Sequence, residues 1–383
     1  MAQWIRYTVM SMSCTGWTVT RRSAVARRCL LFVTVLLSFL GRATPASAHG
    51  GIDQAGFSNY ATAVSSVSPA GSGIVVTAFG VSGGIKLVNN SGREVMVLGY
   101  NNEPYLRIDT TGTFVNLNSP ATYVNKRLDA NVPVPEKATS SDVPDWFQLS
   151  YGNTVWWHDH RTHWMGATPP DAVQVAPQQE QLVYPAWKIP IVVGGQPGAI
   201  TGTLTWLPPP KRSSWLLISL GMFAAAVLLL QFFRSVKSFA GLAVLGALIA
   251  NVIVAVSRAS VERAESSQRV ACFATTAVAL VLFFLGLVSK HRGRTPIAWG
   301  LAGGVLAGTG IAYLKAFSFA SIDGSADPLR VRWAIAVEIG LGLALAATAL
   351  VGFVERRMSR KSRVPGRFLV ENPPEIDPEP SAN

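Results

Sequence analysis

Hydrophobic patterning changes once along this chain, near residue 212. Before that point apolar residues come in short runs, alternating with polar residues or rich in β-branched ones. Examples are Ile74-Val75-Val76-Thr77, Ile85-Lys86-Leu87-Val88, Val95-Met96-Val97-Leu98, Tyr105-Leu106-Arg107-Ile108 and Thr113-Phe114-Val115-Asn116-Leu117. Similar runs recur at 181–184, 189–193 and 201–206. A period of two marks half-buried strands. Turn material separates the runs, as in Asn89-Asn90-Ser91-Gly92, Asn101-Asn102 and Thr111-Gly112. Strands spaced about ten residues apart, with no long helical period between them, predict an all-β sandwich or barrel. Residues 130–145, rich in Pro, Asp and Ser, read as a long surface loop.

After residue 212 five apolar stretches follow, at about 214–233, 239–257, 270–289, 296–314 and 333–354. Each is ~20 residues long, enough to cross ~30 Å of hydrocarbon at ~1.5 Å per residue. They predict an all-α membrane domain of five transmembrane helices. Pro208-Pro209-Pro210 forms a stiff spacer before it.

The amino terminus follows a third pattern. Arg21, Arg22, Arg27 and Arg28 precede an apolar run over 30–40, and Ala46-Ser47-Ala48 follows it. That order reads as a signal peptide cleaved after Ala48. The apolar run of about 11 residues is short for a span; an uncleaved anchor helix is the alternative. The expected organisation is a signal peptide over 1–48, an extracytoplasmic β unit over 49–207, a Pro-rich linker over 208–213, a five-helix membrane domain over 214–354, and a disordered cytoplasmic tail over 355–383.

Charge fits this division. The chain carries a formal net charge of +12. Residues 1–48 hold six basic and no acidic side chains, residues 49–212 ten and eleven, and residues 213–383 seventeen and ten. The excess therefore lies in targeting and topology signals, not in a nucleic-acid surface. Arg234 and Lys237 follow the first span, Lys290, Arg292 and Arg294 the third, and Arg356, Arg357, Arg360, Lys361 and Arg363 the fifth. Basic loops stay in the cytoplasm, so the β unit is expected outside and the C-terminus inside. Lys211 and Arg212 lie on the outer side against this rule. Cys14, Cys29 and Cys272 all fall outside the β unit, which therefore has no disulfide.

Four of the five histidines fall where a metal site needs them. His158-Asp159-His160-Arg161-Thr162-His163 holds three in six residues, and His49 becomes the first mature residue if cleavage follows Ala48. An N-terminal histidine offers its amine and its ring. If 155–160 is a strand, His158 and His160 share a face. His163 can return from a turn, and Met165 adds a soft thioether. Trp156, Trp157 and Trp164 would supply an apolar wall. Copper is the expected metal, with zinc as competitor because imidazole suits both. A solvated loop and structural histidines packed on the tryptophans are the plainer alternatives. Asp159 would orient a neighbouring ring or pair with Arg161, outside the ligand set.

This pattern resembles exported copper proteins with a histidine brace. It is most similar to the amino-terminal cupredoxin domain found in the particulate methane and ammonia monooxygenases. The mature chain there begins His-Gly, as His49-Gly50 would here, with a His-x-His pair about a hundred residues later and membrane helices after it. The resemblance implies a cupredoxin-like sandwich and copper held by the amine and ring of His49 with His158 and His160. One exported unit and five spans, rather than two of each, depart from that family. The overall plan also resembles a fusion of bacterial CopC and CopD.

Three further features stand out. Glu338 is a lone carboxylate in the fifth stretch, a costly position that suggests an ion or proton step, or one near the outer interface. Asn251 suggests an interhelical hydrogen bond. Glu103-Pro104-Tyr105-Leu106-Arg107 either lines the site or holds a structural Glu–Arg pair. No Ser–His–Asp spacing and no nucleotide loop are present, and enzyme activity is left open. The leading expectation is a membrane-anchored extracytoplasmic copper-binding protein for copper acquisition, storage or delivery. Its partners would be the lipid bilayer and a copper donor or acceptor protein. A copper-dependent oxygen-activating enzyme and a copper transporter with a metal-capturing β domain are the alternatives.

Overall fold

The computed structural model describes residues 56–79, 83–127, 130–233, 237–261, 266–289 and 295–361. The expected signal peptide, His49 and residues 362–383 lie outside the described residues.

The first part is β-rich. Its elements are β1 (Phe57–Ser58), β2 (Tyr60–Ser68), β3 (Ile74–Phe79), β4 (Gly84–Asn89), β5 (Val95–Leu98), β6 (Pro104–Asp109), β7 (Gly112–Asn116), the short helix α1 (Ala121–Val124), β8 (Trp146–Ser150), β9 (Thr154–His158), a 3-10 turn (His160–Thr162), the short helix α2 (Asp171–Val175), β10 (Gln181–Val193) and β11 (Gln196–Trp206). A seven-stranded sheet runs β2-β11-β10-β5-β6-β7-β8, and a three-stranded sheet runs β3-β4-β9. The two share one core. Ile85, Leu87, Val155 and Trp157 of the smaller sheet pack with Val97, Ile108, Ile189, Ile191 and Leu204 of the larger. Alternation does this: in β5 Val95 and Val97 are fully buried while their neighbours are not. Each such aliphatic side chain contributes roughly 2 kcal/mol on burial.

Three departures from the sequence pattern have clear causes. The runs at 181–184 and 189–193 belong to one strand, β10, because register shifts around Tyr184 and Trp187 absorb Pro185. Strands β2 and β8 carry too little apolar alternation to be expected. Arg107 pairs with Asp109 at 3.2 Å and lies over the rings of Phe114 and Trp146, and does not reach Glu103. Glu103 accepts from the Ser119 hydroxyl and the Asn101 backbone amide instead.

The second part is helical: α3 (Arg212–Phe232), α4 (Lys237–Ala259), α5 (Ser266–Ala271), α6 (Ala274–Val288), α7 (Thr295–Ala312) and α8 (Pro328–Lys361). By length and composition it provides five segments able to cross a membrane, α5 and α6 counting as one. The chain is a multi-pass membrane protein. The third span is interrupted at Cys272 and Phe273, between α5 and α6. Helix α8 runs on to Lys361, so residues 355–361 of the expected tail are helical. Basic residues there suit a helix C-terminus.

Helix α8 packs against α7, α3 and α4. Its contact with α7 needs small residues: a Cβ on Gly342 would stand 2.8 Å from the Ala307 backbone nitrogen. The β-rich and helical parts are tied together. β1 pairs with β12 (Ser321–Ile322), in the connection between α7 and α8. The Ala320 amide donates to Asn59 Oδ1 at 2.8 Å, and Phe57 packs on Tyr313 and Phe319.

Candidate metal centre

Strand β9 pairs with β4, placing His158 opposite Gly84 at the end of the ladder. The strand stops there and does not run on through His160 as expected. Asp159 remains extended, and its carboxylate accepts from the Arg161 backbone amide at 3.1 Å. The Thr162 hydroxyl bonds the carbonyls of Asp159 at 2.7 Å and Gly83 at 2.9 Å. These bonds close a 3-10 turn over His160–Thr162. His158 and His160 therefore meet through a turn and not through strand alternation, and the same turn brings His163 back.

The three rings form one cluster. Their centroids lie 4.8 Å (His158–His160), 4.6 Å (His158–His163) and 5.2 Å (His160–His163) apart. One nitrogen from each ring lies within 4.8 Å of the other two. His158 and His160 are buried and His163 half-buried.

The hydrogen bonds decide which nitrogens face inward. His160 Nε2 is 3.0 Å from the Val124 carbonyl at the end of α1, and His163 Nδ1 is 3.1 Å from the Trp164 carbonyl. A carbonyl only accepts, so each of those nitrogens carries the ring proton. That leaves lone pairs on His160 Nδ1 and His163 Nε2, which face each other at 3.0 Å. Met165 Sδ, itself only a weak acceptor, lies 3.0 Å from the same His160 Nδ1. His163 Nε2 and Met165 Sδ thus both lie 3.0 Å from His160 Nδ1, and a cation at this place would satisfy their lone pairs. A proton is one such cation. Burial, helped by neighbouring His160, pushes the His163 pKa down to about 4, which disfavours an imidazolium. Two nitrogens bound to one metal ion at ~2.0 Å stand about 3–4 Å apart, so the observed pair fits a shared metal. Outer N–H groups anchored on carbonyls are the arrangement that holds metal-binding imidazoles in one tautomer.

Gly83 makes space for the rings. Its φ is +59°, and a Cβ there would fall 2.8 Å from His163 Cδ2 and 3.2 Å from His158 Cε1. Asp159 and Arg161 lie beside the centre and bind each other. Asp159 is fully buried and accepts from Arg161 Nε at 2.8 Å, Arg161 Nη2 at 2.7 Å and Trp157 Nε1 at 2.9 Å. The Arg161 guanidinium reaches the Leu98 and Gly99 carbonyls and lies over Tyr100. Tyr100 accepts from the His160 backbone amide at 3.1 Å and donates to Asn125. Burial raises the Tyr100 pKa, so the hydroxyl stays protonated.

Of the expected tryptophan wall, Trp157 belongs to the core, Trp156 stacks with Phe79 on the other face, and Trp164 packs near Tyr184. Met165 is 44% exposed, so one edge of the cluster is open. Glu338 is in α8 and belongs to no part of this centre. Sequence reasoning passes over Gly83, Tyr100 and the Val124 carbonyl. Only the Gly83-Gly84 pair before an apolar strand carries any signal.

Comparison with protein-family models, curated proteins and solved structures finds no match to this chain.

Proposed function

We propose that this protein is a membrane-anchored, extracytoplasmic copper-binding protein that acquires, holds or hands on copper. The observation that carries this reading is the grouping of the His158, His160 and His163 rings, with His163 Nε2 and Met165 Sδ each 3.0 Å from His160 Nδ1 and the outer nitrogens of His160 and His163 bonded to carbonyls. Neutral imidazoles with a thioether suit copper, and Cu(I) in particular, better than zinc, which favours thiolate, imidazole and carboxylate. His158, His160 and His163 would hold the ion, with Met165 at the open edge. The amine and ring of His49 would join them as a histidine brace once the signal peptide is removed after Ala48.

In this reading the β-rich part is a cupredoxin-like sandwich lying outside the membrane, with the C-terminus in the cytoplasm. The basic loops after the first, third and fifth spans support that orientation. A copper donor or acceptor protein would meet the centre from the Met165 side, where it is open.

The test uses the full chain, purified in detergent and offered copper and zinc in equal amounts. Metal analysis should find copper, and Cu(II) should give a nitrogen-dominated paramagnetic resonance spectrum. Full copper affinity in a His158→Ala plus His160→Ala variant would sink the site. Zinc bound in preference under reducing and oxidising conditions alike would replace copper. One alanine inserted before His49 should weaken binding; unchanged affinity would remove His49 from the set.

A further inference from the structure

Among the described residues of the helical part, two deeply buried polar groups face each other with unmet hydrogen-bonding capacity. Glu338 lies ten residues into α8 with no exposed surface, and neither carboxyl oxygen has a hydrogen-bond partner. The Asn251 side chain of α4, 1% exposed, faces it without closing a bond of ordinary geometry, and its amide nitrogen is also unsatisfied. Thr276 of α6 donates its hydroxyl to Asn251 Oδ1 at 2.6 Å and so fixes the amide between helices. Gly310 of α7 leaves room for the carboxyl: a Cβ there would stand 3.3 Å from Glu338 Oε2.

The charged and titratable surroundings are sparse. Arg258, near the end of α4, lies with its guanidinium 4.8 Å over the ring of Tyr313, just after α7. Cys272 is buried at the break between α5 and α6. Helix α3 carries only Arg212 at its first position, and α6 and α7 carry no titratable residue. Arg332, on α8 itself, is committed to the carbonyls of Ala316, Phe319 and Ala320.

An ionised carboxylate with no donor and no contacting cation is strongly penalised in such an interior. Protonation removes the penalty. It also makes the group complementary to an amide: a carboxylic acid donates its O–H to an amide oxygen and accepts an amide N–H. The ionised form can only accept.

We propose that Glu338 and Asn251 form a proton-binding site inside the membrane-spanning helices, with Glu338 held as a neutral carboxylic acid. The step is a simple exchange: the carboxyl O–H bond breaks to give carboxylate and a proton, and no electrons move. The released proton passes to water, and the Arg258 guanidinium offsets part of the negative charge left on the carboxylate. This site is independent of the metal centre.

The test is labelling of the full chain in lipid vesicles with a hydrophobic carbodiimide, read by peptide mass spectrometry. A protonated buried carboxyl adds to the reagent and rearranges to a stable acylurea, with no leaving group. Glu338 should label, and labelling should fall once rising pH ionises the carboxyl. Glu338→Gln should lose the label and keep the thermal transition of the parent. Absence of label at Glu338 in the folded chain, with labelling after denaturation, would overturn the proposal. Suppression of the label by sodium or potassium at fixed pH would overturn the proton assignment in favour of a metal cation.

Discussion

Asp159 and Arg161 alternate with the histidines in sequence, yet in space they grip each other and leave the rings alone. Asp159 Oδ1 meets Arg161 Nε at 2.8 Å and Oδ2 meets Arg161 Nη2 at 2.7 Å, a two-point pair closed inside the turn. Such a fork fixes both side chains in one plane. It ends β9 and sets the path on which His160 and His163 return toward His158. The pair is a positioning device for the centre.

Removing one member should therefore damage fold and site together. Asp159→Ala leaves the largely buried Arg161 guanidinium without its partner and the Trp157 N–H without its acceptor. The expected cost is roughly 3 kcal/mol, as for a broken buried pair. Chemical unfolding of the full chain should show it as a lower midpoint at unchanged slope. Metal affinity should fall about 10–100-fold, as when groups that orient metal-binding rings are lost.

Substitutions at the convergent atoms should separate by metal oxidation state. Met165→Ala removes only a soft thioether. It should weaken Cu(I) binding by at least about tenfold while changing Cu(II) and Zn(II) affinity much less. His163→Ala should weaken all three. Competition titration with chelators selective for each ion checks this, and a uniform effect of Met165→Ala would show that its sulfur is no ligand.

The metal-free protein should lose stability on mild acidification, with a sign set by His163. Burial holds its folded pKa at about 4, below the ordinary value of 6.5. As pH falls below 6.5 the unfolded chain takes up the proton first, so stability is full above that value and declines toward pH 4. The total loss is roughly 3 kcal/mol at ~1.4 kcal/mol per unit. Unfolding midpoints measured across this range should fall for the parent and fall less for His163→Ala. Bound metal should leave the onset of the decline in place and extend it to lower pH, because protons must then displace the ion before the folded state takes them up.

Gly83 should resist replacement by alanine. Its positive φ strains any side chain, and the new Cβ would fall 2.8 Å from His163 Cδ2. The expected loss is about 1–3 kcal/mol from the backbone alone, with a further drop in metal affinity as the His163 ring is displaced. A Gly83→Ala variant with parental stability and affinity would show that the rings do not rest on this backbone.

Much of the architecture is legible in residue order. Strands β3, β4, β5, β6, β7 and β11 coincide with short alternating runs, because alternation reports directly which side chains face a core. The five spans are legible for a simpler reason: ~20 apolar residues have few other stable environments. Strands β2 and β8 are not, since Tyr60–Ser68 is rich in small and polar residues and Trp146–Ser150 is a partly exposed edge strand. In sequence β10 reads as two strands, because Pro185 hides the bulge that lets one strand pass it.

The histidine cluster divides the same way. Three histidines in six residues are a local fact, and chain connectivity alone keeps them within a few residues' reach. Which nitrogens face one another is not local. It depends on carbonyls at Val124, 36 positions before His160, and at Trp164, on a backbone floor at Gly83, and on an Asp159–Arg161 pair braced by Leu98, Gly99 and Tyr100. Residue order by itself determined the membrane helices, most of the strands and the presence of imidazoles at one place. Only the tertiary structure decided that His160 Nδ1 and His163 Nε2 face each other and that Glu338 is fully buried, because hydrogen bonds and packing between distant segments set ring orientation and burial.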